Sequence, residues 1–306
     1  MTGVQTCALP IWARLNARHI GRFLPGAPSV IVQNRGGAAG KIGYGWFAAQ
    51  APADGTVAAA FGGALAQEEA VGEMPRDAPS IASLEIVASV GDTDVFFARR
   101  EKLPEGAASL RSPRAPFAVA VESDAFGKLL TAQFSLFGLT EGREYKFVRG
   151  FPGGAEIMLA VRRGEIDFNI ARIGLYRQAA APEVAAGNWT PLWQSGVAGP
   201  ERIRRNGAVA DIPTFEEALA ASGGAMTGAA ADFVRWNVRA NGVVRFIALP
   251  RGAPAGVVAA YVAAWKAMSA DPAFLADLDR TSGIGPDAML FGADSRAAIV
   301  RVLRER

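Results

Sequence analysis

The sequence predicts an α/β fold with largely parallel sheets, on a chain long enough to make two domains. Three observations carry this. Short runs rich in β-branched and aromatic residues alternate with longer segments of helical period. Glycine-rich turns lead several strands directly into a helix, the kind of connection a parallel sheet requires. The 306 residues can enclose two cores, because chains approaching ~250–300 residues tend to divide into domains.

Taken in order, Arg14 to Leu24 reads as the end of a helix, halted by Pro25-Gly26-Ala27-Pro28. Ser29 to Asn34 is a short β-branched strand, and the glycine-rich Arg35 to Gly40 then opens a helix to about Gln50. Pro52-Ala53-Asp54-Gly55 turns into a strand over Thr56 to Phe61. Further strands are expected at Leu84 to Val90, Val95 to Ala98 and Pro116 to Val121. Asp124 to Phe137 has helical spacing through Leu129, Leu130, Phe134 and Phe137. Tyr145 to Val148, Ile166 to Ile170 and Pro191 to Gln194 are strands, with helices in the two intervals between them. Thr214-Phe215-Glu216-Glu217 has the form of a capping box, so a helix starts there and ends before Gly223-Gly224. Val243 to Leu249 is a strand, and Pro254 to Met268 a helix with the apolar stripe Val257, Val258, Tyr261, Val262, Trp265, Met268. Asp294 is expected to cap a last helix, Ser295 to Arg304.

Composition excludes several functions. The 32 basic and 29 acidic residues leave a net charge of +3 with no block of one sign, which argues against nucleic-acid or anionic-membrane partners. No apolar run reaches the ~18 residues of a membrane span. The single cysteine, Cys7, permits no internal disulfide, and the single histidine, His19, rules out multi-histidine zinc sites. No metal or cofactor is expected. His19 lies in the polar stretch Arg14 to Ile20 and reads as a solvated helix residue. Few cysteines suit either the cytoplasm or the Gram-negative periplasm.

Residues 1–12, from Met1 to Trp12, have no basic start, no sustained apolar centre and no small-residue cleavage site, so they do not form a secretory signal. They resemble a translated sequencing-adapter remnant. Native sequence is expected to begin near Ala13.

Three glycine-rich segments could carry chemistry. Gly36-Gly37-Ala38-Ala39-Gly40-Lys41-Ile42 is one residue short of a phosphate loop, and Ile42 stands where Ser or Thr would hold Mg²⁺. A tight strand-to-helix turn is the better reading. Val121 to Gly127 also joins a strand to a helix, where unpaired amides attract anions. Asp124 complicates that site, because its side chain can cap the helix and repel a carboxylate. The third segment, Gly150-Phe151-Pro152-Gly153-Gly154-Ala155-Glu156, places Pro152 at a helix start, where its missing N–H costs nothing. Gly153 and Gly154 leave the next amides unobstructed, so two or three donors can meet one carboxylate in charge-assisted bonds worth ~1.5–3 kcal/mol each.

These segments fall into a resemblance. Asn34 to Gly40 followed by Ala51-Pro52-Ala53-Asp54-Gly55-Thr56 resembles the "N-R-x-G-A-x-G … A-P-x-D-G-T" stretch of tripartite tricarboxylate transporter receptors. Gly150 to Glu156 with Leu159 to Asp167 is similar to their "G-Y/F-P-G … E-I-x-L-A-x-x-R-G-E-x-D" segment. Asp211-Ile212-Pro213-Thr214-Phe215-Glu216, Ala248 to Pro254 and Asp271-Pro272 are similar to three further stretches, in the same order.

The resemblance implies a periplasmic, monomeric solute-binding receptor of the type II periplasmic-binding-protein-like fold, not an enzyme. Each of its two lobes is a mixed, mostly parallel sheet flanked by helices. One lobe would combine residues 13–105 with 241–306, and residues 106–240 would form the other. The ligand would be a small carboxylate, often a di- or tricarboxylate, taken up between the lobes as they close and handed to a membrane permease. The positions matching the family's ligand loops are Ser123, Asp124, Ala125 and Phe126, then Phe151, Pro152, Gly153 and Gly154. Asn169 is a further candidate, and Gly62, Gly63 and Ala64 are the first-lobe counterpart. Two departures stand out. The family's first strand and following loop have no expected counterpart, and Glu122-Ser123-Asp124 is more acidic than the loop it matches, which leaves room for a ligand bearing an amino or hydroxyl group. A ligand-sensing module on the same fold is the alternative. An α/β enzyme is a weaker one, since Glu68-Glu69 and Glu216-Glu217 are adjacent pairs that diverge on a helix.

Overall fold

The computed structural model describes residues 2–6, 10–35, 37–121, 124–151, 154–198, 203–282, 284–285 and 288–304. The chain forms two compact units, Met1–Asp92 with Arg239–Arg306, and Thr93–Val238. The first unit opens with β1 (Thr2–Thr6), α1 (Pro10–Ile20), β2 (Val30–Asn34), α2 (Lys41–Gln50), β3 (Val57–Gly62), α3 (Ala64–Ala70) and β4 (Glu85–Val90). The second contains β5 (Asp94–Arg99), β6 (Phe117–Ala120), α4 (Asp124–Phe137), β7 (Tyr145–Val148), α5 (Gly154–Arg163) and β8 (Phe168–Arg172). It continues through α6 (Ile173–Leu175), α7 (Ala181–Ala185), β9 (Trp189–Gln194), the short β10 (Val197–Ala198) and β11 (Ile203–Arg204), then α8 (Phe215–Ala221) and α9 (Gly228–Asn241). Near the end of α9 the chain returns to the first unit for β12 (Arg245–Leu249), α10 (Ala255–Ser269), α11 (Pro272–Ser282), β13 (Met289–Phe291) and α12 (Ala293–Arg304).

The first unit's sheet has the order β13-β4-β12-β3-β1-β2. β1 runs parallel to both β2 and β3, whereas β12 is antiparallel to β3 and β4. This corrects the expectation of a missing first strand: backbone pairing from Thr2↔Val30 to Thr6↔Asn34 fills the place between β2 and β3. Both sheet faces are covered. On one, Trp12 and Leu15 of α1 pack with Tyr261, Trp265 and Met268 of α10 and Phe274 and Leu278 of α11 against Ala58, Ala60 and Ile247. Val257, Val258 and Val262 pack against the same cluster, so the whole predicted stripe of α10 faces this core. On the other face Phe61 meets Tyr44 and Phe47 of α2 and Phe246 of β12, with ring centroids 5.3–5.5 Å apart. Gly37 and Gly40 enter α2 with φ of 116° and 97°, backbone that favours glycine, as the turn reading required.

Two smaller corrections concern side chains. His19 is buried, not solvated: its Nε2 lies 2.8 Å from Asp277 Oδ2 and its Nδ1 2.9 Å from Arg22 Nη2. Asp294 lies within the first turn of α12 rather than before it, where a carboxylate still suits the helix dipole.

The second unit's sheet has the order β7-β6-β8-β5-β9. β6 is parallel to β7 and β8, and β5 is antiparallel to β8 and β9. β5, expected in the first lobe, therefore belongs to this sheet, because its backbone groups pair on both sides with strands of the second unit. Phe117, Val119 and Val121 of the β6 strand and its exit face one core with Leu129, Leu130 and Phe134 of α4. Ala118 and Ala120 face the other, with Ile157, Met158, Ala160 and Val161 of α5. This period-2 alternation fixes α4 and α5 on opposite faces. The predicted capping box at α8 is formed: Thr214 N–H donates to Glu217 Oε2 at 2.8 Å and Glu217 N–H to Thr214 Oγ1 at 3.3 Å.

Candidate functional site

The site follows from the strand order. From β6 the chain passes through α4 to β7 on one side, then through α5 back across β6 to β8 on the other. Right-handed crossovers in opposite directions must use opposite faces of the sheet, as the two cores show. Where the direction reverses, the loops separate and leave a crevice outside the carboxyl ends of the strands. A cleft of about 240 Å³ lies there, lined by Asp94, Ala120, Phe126, Gly154, Asn169, Ile170, Ala171, Arg172 and Leu175.

Each lining group has a local cause. Phe126 is in the first turn of α4, and Gly154 opens α5. The first amides of a helix have no partner within it and carry the positive end of its dipole. Asn169 is buried among the α5-side groups, its Nδ2 4.0 Å from Met158 Sδ. Arg172 ends β8 on the other face, directly across from Asp94 in the β5–β8 register. Its Nε is 3.3 Å from Asp94 Oδ1, and its guanidinium carbon is 6.0 Å from the Phe126 ring centre. The Asp94 backbone is fixed as well: its N–H donates to Ser195 Oγ at 3.0 Å, and Ser195 N–H donates to its carbonyl at 2.8 Å. Behind Leu175, burial and then the Asp211 charge push the Tyr176 phenol up to about 12, so it stays protonated at neutral pH.

Phe126, Gly154 and Asn169, proposed separately from sequence, thus line one cleft. Phe151 is half-buried and packs against the α5-side core. Asp124 and Ala125 are the first residues of α4, and their side chains lie outside what the structure describes. Ser123, Pro152 and Gly153 lie outside the described residues. Gly62, Gly63 and Ala64 are at the β3–α3 junction of the first unit, where Gly63 N–H donates to Val244 O at 2.8 Å. Sequence reasoning missed Asp94 and Arg172. The available signal was a charged residue at the cleft end of each strand, Asp94 opening β5 and Arg172 closing β8.

A larger cleft of about 700 Å³, lined by Arg99, Arg100, Arg162 and Glu183 among others, opens at the opposite end of β5 and β8. Its charges are held by one another and by backbone: Arg162 Nε bonds Glu183 at 2.8 Å, Arg99 bonds Asp167 at 3.3 Å, and Arg100 bonds Gly187 O at 2.9 Å. Among its described lining residues no helix of eight or more residues begins. Among the described residues no group of three or more His, Cys, Asp or Glu could hold a metal ion, and no helix is long and apolar enough to cross a membrane.

No protein-family model matches the chain, and no curated protein matches it. Solved structures do. A TctC solute-binding protein from Polaromonas, without ligand, superposes with a TM-score of 0.68 at 18% identity, covering 99% of this chain and 94% of that one. A Rhodopseudomonas palustris protein with adipate gives 0.62 at 16% identity, covering 99% and 93%. MatC from the same organism, with bound malate, gives 0.57 at 19% identity, covering 99% and 97%. The chain has the two-unit α/β fold of the TctC-type solute-binding proteins, the fold its ordered sequence segments resemble.

Proposed function

We propose that the chain is a periplasmic solute-binding receptor that captures a small carboxylate and delivers it to a tripartite tricarboxylate transporter permease. One observation carries the reading: a cleft at the reversal point of the second sheet where the starts of α4 and α5 converge beside buried Asn169. Such a place supplies backbone donors and two helix dipoles to an anion, and among its described lining residues none is a nucleophile beside a base. Malate and adipate in two proteins of this fold support the ligand class. Ser123 to Phe126 and Phe151 to Gly154 are the proposed ligand loops, with Asn169 between them, and the receptor acts as a monomer without cofactor.

The test is thermal unfolding against a panel of malate, adipate, citrate, glucose and ATP. A carboxylate at ~100 times its dissociation constant adds about 2.7 kcal/mol of stability. Stabilisation by glucose or ATP, with none from any carboxylate, overturns the reading.

A further inference from the structure

We propose that Arg172 sets the charge selectivity of this cleft, its guanidinium meeting a carboxylate of the ligand while Asp94 holds it in position. The inference rests on the carboxylate reading of the cleft and adds a side chain that the helix-start picture does not contain. Asp94 and Arg172 face each other across β5 and β8, but they are not equally placed. The carboxylate side chain is 1% exposed and the guanidinium side chain 37% exposed. A buried carboxylate requires a partner, and Arg172 meets that need through Nε while also lining the cleft. Here the acid lies beneath and the base opens to the cleft. Contact through Nε orients the planar fork, and Phe126 backs it from α4. A second guanidinium, Arg149, lies against the first turn of α4, its Nη2 3.5 Å from where a Cβ on Gly127 would stand. Two guanidinium groups thus lie near the first turn of α4, the same turn that Asp124 opens. Fork geometry suits a carboxylate, with two parallel N–H···O bonds. An ester or amide of the same shape offers neither the charge nor a second equivalent acceptor oxygen.

Titration calorimetry on the full chain, with adipate, malate and dimethyl adipate as probes, tests this. Arg172→Gln should weaken binding of the acids about 10- to 100-fold, the range that loss of a charge-assisted bond implies. It should leave dimethyl adipate unchanged, whereas Arg172→Lys, keeping charge but not the fork, should lose less. Asp94→Asn should narrow the ratio of acid to ester affinity, a readout that a purely structural role would not move. The Asp94→Asn/Arg172→Gln double variant removes both charges together, so a folded protein without a lone buried carboxylate carries the same test. Acid binding as tight in the double variant as in the wild type shows that Arg172 is only the counter-ion of Asp94, and overturns the inference while the carboxylate reading stands. Wild-type protein that binds neither acid overturns both.

Discussion

Replacing Gly63 by alanine places a methyl group where the backbone leaves no room for one. A Cβ built there lies 1.7 Å from Val243 O, 2.8 Å from its carbonyl carbon and 3.0 Å from Val244 Cα. An ordinary carbon–oxygen contact is about 3.3 Å, so one strand must retreat by ~1.5 Å. That movement breaks the 2.8 Å bond from Gly63 N–H to Val244 O and strains the Gly62↔Arg245 pairing of β3 with β12. Overpacking of this kind costs about 1–3 kcal/mol, and an unmet buried backbone group about 1–3 kcal/mol more. The sum is ~4 kcal/mol, equivalent to about 10 °C of melting temperature for a unit of this size. Gly62→Ala is the control, with nothing within 4 Å of its Cβ and no positive φ. It should stay within ~0.5 kcal/mol of the wild type. Calorimetric melting and urea titration of both variants read the difference. A Gly63→Ala protein that melts within ~2 °C of the wild type refutes the close-approach argument. The glycine would then have to be explained by its neighbours in sequence, Gly62 and Ala64, acting at a ligand.

Thr214→Ala removes the acceptor for Glu217 N–H and should cost about 1 kcal/mol, read as a lower urea midpoint at unchanged slope; an unchanged midpoint excludes a stabilising cap. Part of the acid sensitivity should arise at α11. The Phe274 amide foremost holds the Asp271 carboxyl below its usual range, and the His19 hydrogen bond foremost does the same for Asp277. A depressed acid contributes stability that is present above the unfolded value of about 3.9 and lost as pH falls through the folded one. The wild-type melting temperature should therefore fall further between pH 6 and pH 3 than that of the Asp271→Asn/Asp277→Asn variant. Parallel falls would remove these groups as the cause.

Local signals were legible and register was not. The box at Thr214 and Glu217, the stripe of α10 and the glycine turn before α2 are written in neighbouring residues, and the structure forms all three. Thr2–Thr6 falls in the stretch that reads as an adapter remnant, so no strand is expected there; its place as β1 comes from pairing with β2 and β3. β13, with three residues, is too short for any periodicity. The site divided in the same way. Phe126 and Gly154 follow strands and Asn169 lies in one, so each could be picked out on its own. Asp94 and Arg172 become partners only when β5 settles antiparallel to β8 in one register, a fact about distant segments that no local window contains.

The position of β12 has a consequence for how the chain acquires its structure. It lies between β3 and β4, yet it is synthesised after every residue of Thr93–Val238. The second unit is continuous in sequence and can condense as soon as it emerges. The first cannot: its amino-terminal segment must wait with the facing edges of β3 and β4 unpaired. Unpaired strand edges recruit other chains, and non-local pairings form slowly. The interval between completion of the inner unit and arrival of Arg245–Leu249 is therefore the stage of folding at which a chaperone matters most to this protein.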